Sequence, residues 1–298
     1  MERRGRRNCR PRFTYETKMK KKIYRIISVV SLIVMVGAVL SLLYTLYLYQ
    51  RSNREYLALS RSAHLQTAAE VEPVAAGEET ESEPGAETET EEGPELHAVI
   101  PIDFPYLKTV NEDIVGWVEV EGTPIDYPVL FDTTDFMYYL NHNHARAYTP
   151  YGSVFMLSYN TPDFTDFNTV IYGHNIVDGG MFGALHDFED QEFFDTNKLI
   201  LVYTPERRLV YQIFAAYRTD NLDQIQNFDL ETPEGRQEYI DRIYTHDVKA
   251  IFDPEITVTP DDRIITLSTC IANYAYRYLV QGVLIMDEEA ISVAAPQN

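Results

Sequence analysis

The chain has 298 residues, 45% hydrophobic and 24% charged, which excludes a disordered or collagen-like protein and leaves room for one sizeable folded domain. Two cysteines exclude a disulfide scaffold. The net charge of −21 is unevenly distributed: residues 1–25 hold eleven Lys/Arg against two Glu, a net of +9, so the remainder carries −30. So acidic a surface repels phosphate backbones, and no nucleic-acid partner is expected.

In chain order, residues 1–25 form a basic tail, followed by an uncharged run at 26–50, IISVVSLIVMVGAVLSLLYTLYLYQ. As a helix this run is roughly 37 Å long against a hydrocarbon core of about 30 Å, so it reads as a transmembrane anchor. A cleaved signal peptide fits less well, because hydrophobic regions of that kind are shorter and no small-residue cleavage site precedes Arg51. Lys18, Lys20, Lys21, Lys22 and Arg25 outweigh Arg51 and Arg54, which places the N-terminus in the cytoplasm and the rest outside the cell membrane. Residues 51–96 read as an extracellular juxtamembrane segment and linker. Between Glu70 and Glu95 stand eleven glutamates and no Lys or Arg, a composition too poor in apolar surface to order itself, so a disordered spacer is expected.

The folded domain is expected over 97–298. Its pattern is mainly β, with eight strand candidates: Gly116–Val120, Ile125–Phe131, Gly152–Leu157, Asn168–Tyr172, Lys198–Tyr203, Arg208–Tyr217, Arg263–Thr269 and Arg277–Met286. Eight short strands predict a barrel or a sandwich. Helices are expected at Tyr106–Asp113, Asp135–Asn141, Met181–Phe188 and Pro233–His246. The last carries proline in its first turn and an i, i+3, i+4 stripe of Arg236, Tyr239, Ile240, Ile243 and Tyr244.

Cys270 closes the run RIITLSTC where a polar loop begins. An unpaired extracellular cysteine invites oxidation, so the position reads as a nucleophile ahead of a buried core thiol. Cys9, in the basic tail, reads as an ordinary reduced thiol. A cysteine nucleophile needs a proton acceptor and donor, and His174 ends NTVIYGHN in the same fashion. If those two strands are parallel neighbours, both residues emerge at one end of the barrel. The pair His142 and His144 lacks further ligands and reads as packing, so no metal site and no cofactor are expected. His64, His97, His186 and His246 read as solvated. Arg277 opens the last strand after six intervening residues from Cys270; an oxyanion donor and a strand-edge salt bridge fit it equally well.

TLSTC (Thr266 to Cys270), VIYGHN (Val170 to Asn175) with DGGMFGAL (Asp178 to Leu185), and the arginine opening the last strand together resemble a sortase of class B. NEDIVGWVEVEGTPIDYPVL (Asn111 to Leu130), YYLNHN (Tyr138 to Asn143) and the helix before the cysteine strand match the same class. The resemblance covers roughly Leu96 to Met286. It implies an eight-stranded sortase-type β-barrel carrying a cysteine transpeptidase site. Cys270 would be the nucleophile, His174 the general acid and base, and Arg277 the oxyanion and substrate anchor. Tyr172, Ser268 and Leu140 would line the groove for the sorting peptide. The implied partners are surface proteins or pilins bearing a C-terminal sorting motif, and an amine of a cell-wall precursor or pilin. A peptidase hydrolysing the same thioacyl intermediate, or an inactive anchored binding module, would share these residues. Two departures stand out: Asp135-Phe136-Met137 replaces the DNx of the family's DNxYYL, and the Cys270–Arg277 connection is short.

Overall fold

The computed structural model describes residues 13–64, 100–176, 178–220, 227–245, 250–270 and 276–289. The acidic linker, most of the basic tail, His97, His246 and the 271–275 connection lie outside the described residues. The chain divides into two compact units, Met1–Arg51 and Ser52–Asn298.

The first unit is the beginning of α1 (Phe13–Ala63). Its Ile, Val and Leu side chains from Ile26 to Leu46 are exposed, and it is long and apolar enough to cross a membrane. The second unit starts well before the expected position 97. From Ser52 onward the same element has charged residues on one side and an apolar stripe on the other, and Tyr56, Leu59 and Ala63 are buried in the folded unit. The Tyr56 hydroxyl lies 2.7 Å from Ser153 Oγ.

All eight expected strands form: β1 Ile114–Val120, β2 Asp126–Leu130, β3 Val154–Met156, β4 Asn168–Gly173, β5 Leu199–Tyr203, β6 Arg207–Asp220, β8 Ile264–Cys270 and β9 Tyr276–Glu289. A two-residue strand, β7 (Ile251–Phe252), is added on the flank of β6. The order β5-β1-β2-β3-β4-β8-β9-β6, closed by β5–β6 pairing, is an eight-stranded barrel. Closure leaves none of the eight with an unpaired edge along its whole length.

Side chains of alternate parity separate inside from outside. The interior holds Val118, Val129, Ile171, Val202, Ile213, Ile265, Leu267 and Val280. Two outer layers cover opposite-parity residues. One packs Leu59, Ala63 and α2 (Phe104–Val110) over Trp117, Leu130, Phe155 and Tyr203. The other packs α4 (Pro233–Tyr244) over Phe214, Tyr217, Ile264, Leu279 and Val283. The helix starts where Thr232 Oγ1 accepts from the Gly235 amide, and its buried face is Tyr239, Ile240 and Ile243, as the stripe predicts. Arg236 bonds the Leu230 and Pro260 carbonyls, whereas Tyr244 stays largely exposed.

Three expected helices change in extent or type. The helix expected at Tyr106–Asp113 starts earlier, because Asp103 caps it through the Tyr106 amide and Pro105 follows. The segment at Asp135–Asn141 shrinks to a 3-10 turn at Tyr138–Leu140, since Asp132 Oδ1 accepts from Thr134 N, Thr134 Oγ1 and Asp135 N and holds the chain in a turn. The segment at Met181–Phe188 is a 3-10 helix over Gly183–Glu189, because Met181 has φ 50°, outside right-handed helix space. A short helix, α3 (Gln191–Thr196), capped by Asp190, was not expected from the pattern.

A buried polar network joins α4 to four strands under it, β4, β6, β8 and β9. The Tyr239 hydroxyl accepts from Asn168 Nδ2 at 2.7 Å and Gln281 Nε2 at 2.8 Å. Thr266 Oγ1 donates to Asn168 Oδ1 at 2.9 Å, and Tyr217 donates to Gln281 Oε1 at 3.0 Å. Burial pushes the Tyr239 phenol up to about 12, so it stays a neutral hydroxyl.

Two predictions follow from this packing. Tyr239→Phe leaves two buried amide donors without an acceptor, at about 1–3 kcal/mol for each unsatisfied group; urea unfolding should show a loss in that range. Beginning the chain at 97 instead of 52 removes Leu59, whose burial is worth roughly 1.5–3 kcal/mol, and the melting temperature should fall by about 4 °C or more.

Candidate active site

β4 and β8 are parallel neighbours, with Gly173 opposite Thr269 and Tyr172 opposite Ser268. β8 and β9 are antiparallel, with Cys270 directly opposite Arg277. The backbone therefore brings His174, Cys270 and Arg277 to one end of three adjacent strands. The strand period of two also puts positions 172 and 174, 268 and 270, and 277 and 279 on the outer face. α4 covers that face further back along the strands, at Asn168, Thr266 and Gln281.

His174 is half-buried, and its Nε2–H donates to the Leu140 carbonyl at 2.7 Å. Leu140 thus contributes through its backbone, while its side chain is exposed. The carbonyl is held by its buried neighbour: Tyr139 donates to Asp113 Oδ2 at 2.5 Å and accepts from Asn111 Nδ2 at 2.8 Å. Arg146 completes this cluster on Asp113 at 2.6 Å. Gly152 lies against the same carbonyl, with φ +54° and room for no Cβ: one would lie 2.5 Å from Leu140 O.

The residues after His174 seal the barrel. The Phe182 amide donates to the His174 carbonyl at 3.0 Å, while Phe182, Leu185 and Phe188 fill the interior end. A Cβ at Gly173 would meet the Phe182 ring at 2.6 Å, so glycine lets the ring pass directly beneath the histidine's backbone. Beside it, Asn175 Nδ2 donates to His186 Nε2 at 3.0 Å, and His186 Nδ1 donates to Glu189 at 2.7 Å. His186 stacks on Tyr278, ring centroids 5.0 Å apart, so it is a structural residue and not the solvated one expected. This support escaped the sequence reading, although the i, i+3 spacing of His186 and Glu189 inside an otherwise apolar motif was a signal for it.

Arg277 is half-exposed and donates from Nη1 to the Tyr276 carbonyl at 3.2 Å. Tyr172 packs beside Phe155, and its hydroxyl pairs closely with that of Tyr159. Burial pushes the Tyr172 phenol up; the Tyr159 bond and the nearby Arg277 charge pull it partly back. Ser268 is buried, 3% exposed, between Tyr172 and Leu279 in the sheet. Tyr172 and Leu140 therefore meet the surface at this face, whereas Ser268 forms part of its floor. His142 stacks on Tyr138 at 3.9 Å, and His144 is buried edge-on to Tyr56, its imidazole pushed down by burial; both pack, as expected.

A closed barrel that gathers a histidine, a cysteine and an arginine position at three neighbouring strand ends defines a mainly β protein of the sortase type. The family model for the sortase domain matches residues 118–285. Sortase B of Staphylococcus aureus is 35% identical over 167 residues, covering 56% of this chain and 67% of that protein. Sortase B of Listeria monocytogenes is 35% identical over 184 residues, 60% of this chain and 72% of that protein. Among solved structures, a Staphylococcus aureus sortase B–substrate complex aligns with a TM-score of 0.55 at 34% identity, covering 61% of this chain and 84% of that one. Clostridium perfringens sortase B aligns with a TM-score of 0.56 at 28% identity, covering 62% and 100%. The chain belongs to the sortase family, whose members are cell-wall sorting transpeptidases, and within it to class B.

Gly152→Ala puts a Cβ on a left-handed backbone position, 2.5 Å from Leu140 O, and displaces the carbonyl that orients His174. If the imidazole that this carbonyl orients takes part in the reaction, turnover should fall about tenfold or more, because small misplacements of a reacting group are costly, and by a larger factor than peptide affinity. Peptide titration beside steady-state kinetics checks the split.

Proposed function

We propose that this chain is a membrane-anchored cysteine transpeptidase, held N-in and C-out by residues 26–50, which cleaves a C-terminal sorting motif after threonine. Its protein substrates would be surface proteins or pilins, and its acceptor an amine of a cell-wall precursor or of a pilin. The observation that carries the reading is the backbone register, which sets Cys270 opposite Arg277 and His174 one step beyond the Gly173–Thr269 pair. The likeness to a sortase B solved with its substrate supports the choice of a peptide ligand.

In this reading the Cys270 thiolate adds to the threonine carbonyl, and the Arg277 guanidinium stabilises the oxyanion that forms. Collapse breaks the C–N bond as His174 protonates the departing amine, leaving a thioacyl enzyme. The acceptor amine then adds to the thioester, His174 removes its proton, and loss of the Cys270 thiolate completes the new amide. Arginine suits the oxyanion position because it remains charged and offers a planar fork of donors. The Leu140 carbonyl fixes the imidazole, so the reading needs no carboxylate partner for His174.

Mass spectrometry of products from a peptide library, with and without an added amine, tests this reading. Amide products that require the amine support transpeptidation; hydrolysed peptide alone supports a peptidase, and intact peptide a binding module. Cys270→Ala should abolish both cleavage and transfer. Arg277→Lys keeps the charge but misplaces the donors, and should lower the acylation rate about 100- to 1,000-fold with little change in melting temperature. A lowered melt with an unchanged rate would return Arg277 to a salt-bridge role.

A further inference from the structure

The sequence reading treats His64 as a solvated residue at the edge of the linker. In the folded unit its Nε2 instead faces two carboxylates, Glu119 of β1 at 3.3 Å and Asp126 of β2 at 3.7 Å. All three side chains are only partly exposed, at 35%, 28% and 35%. Among the described residues this is the one group of three His, Cys, Asp or Glu side chains whose ligand atoms converge, all within 4.8 Å of one another.

The hydrogen bonds around the group fix what it can hold. His64 Nδ1 lies 2.8 Å from the Ser60 carbonyl, which can only accept, so Nδ1 carries a proton. Nε2 then faces two carboxylate oxygens, with Glu119 Oε1 at hydrogen-bond distance, so either a second ring proton or a metal ion fills the space between them. Asp126 is already oriented by outer donors, Trp117 Nε1 at 2.6 Å on Oδ1 and Ser60 Oγ at 2.5 Å on Oδ2. An imidazole whose far nitrogen is tied to a carbonyl, beside a carboxylate held by its own donors, is how proteins orient metal ligands. The two separations from His64, 3.3 and 3.7 Å, lie near the roughly 3.3–3.4 Å that a tetrahedral ion with bonds of about 2.0–2.1 Å sets between its ligand atoms. Beside the group opens a cleft of about 470 Å³, lined by Glu121, Thr123 and Tyr203 as well as by the three ligands, which gives an ion access and leaves space for a water.

We propose that His64, Glu119 and Asp126 bind one divalent cation of the zinc class, which staples the end of α1 to β1 and β2. Imidazole with carboxylates suits zinc better than calcium or magnesium, which prefer oxygen-only shells. The ligands come from the segment that leads out of the apolar helix and from two barrel strands, so the ion would stiffen that docking and not enter the transfer chemistry.

The test uses the full chain in detergent as the Cys270→Ala variant, so that the site thiol cannot capture the ion. Equilibrium dialysis against Zn²⁺ with metal analysis should give one ion per chain, with a raised melting temperature that a chelator reverses. Zinc-edge X-ray absorption should show only nitrogen and oxygen ligands at about 2.0–2.1 Å. Glu119→Gln preserves shape and should weaken binding by about tenfold or more with the fold unchanged by circular dichroism; His64→Ala should do the same. Absence of stoichiometric zinc, sulfur in the shell, equal uptake of Mg²⁺, or unchanged affinity in both variants would each overturn the site. The first outcome would leave a proton as the cation between His64 and its carboxylates.

Discussion

The arrangement rests on three paired strands, β4, β8 and β9, locked together by a buried network of Asn168, Thr266, Gln281 and Tyr239. A strand pair packed only through apolar side chains tolerates local slips better than one whose buried amides each need a particular partner. Here a slip of one residue would turn Asn168 or Thr266 into the apolar interior and leave its partners unpaired. The network therefore fixes register. It stands an even number of residues from the strand ends: six from Asn168 to His174, and four each from Thr266 to Cys270 and from Gln281 to Arg277. Even spacing carries the network's face to positions 174, 270 and 277, so the constraint that stabilises the sheet also sets the face of the proposed site.

Around that frame the molecule supplies orientation through backbone groups. The Leu140 carbonyl holds the imidazole, and the Phe182 amide holds the histidine's own carbonyl. Two glycines allow these approaches, Gly152 by its left-handed conformation and Gly173 by yielding space to the Phe182 ring. Tyr172 packs with the α2-side layer and Leu279 with the α4-side layer, so the two layers flank the three strand ends on either side.

Much of this was legible in the sequence where chemistry and periodicity coincide. Alternating apolar residues marked the eight barrel strands, and the strand-end positions of His174 and Cys270 set parallel adjacency as the condition for their meeting, which β4 and β8 meet. β7 was not legible because two residues carry no period. The docking of residues 52–64 was masked by Arg51, Arg54 and Arg61, which make the segment read as a solvated juxtamembrane stretch; only the spacing of Tyr56, Leu59 and Ala63 hints at a buried stripe. The Leu140 carbonyl had no signal, since any residue supplies one. The cluster at His64 draws on positions 55 and 62 residues apart, and no local pattern links them. Ser268 as groove lining came from the family resemblance alone; its side chain is 3% exposed and sits in the sheet beneath this face.

The central claim is that β4, β8 and β9 behave as one cooperative unit that carries the site. Native-state amide hydrogen exchange of the full chain in detergent, read at 168–173, 264–270 and 277–283, tests it most directly. These three segments should be among the most protected in the chain and open together with one common free energy. Independent opening, with the cysteine strand exchanging at the rate of an exposed loop while its neighbours stay closed, would contradict it.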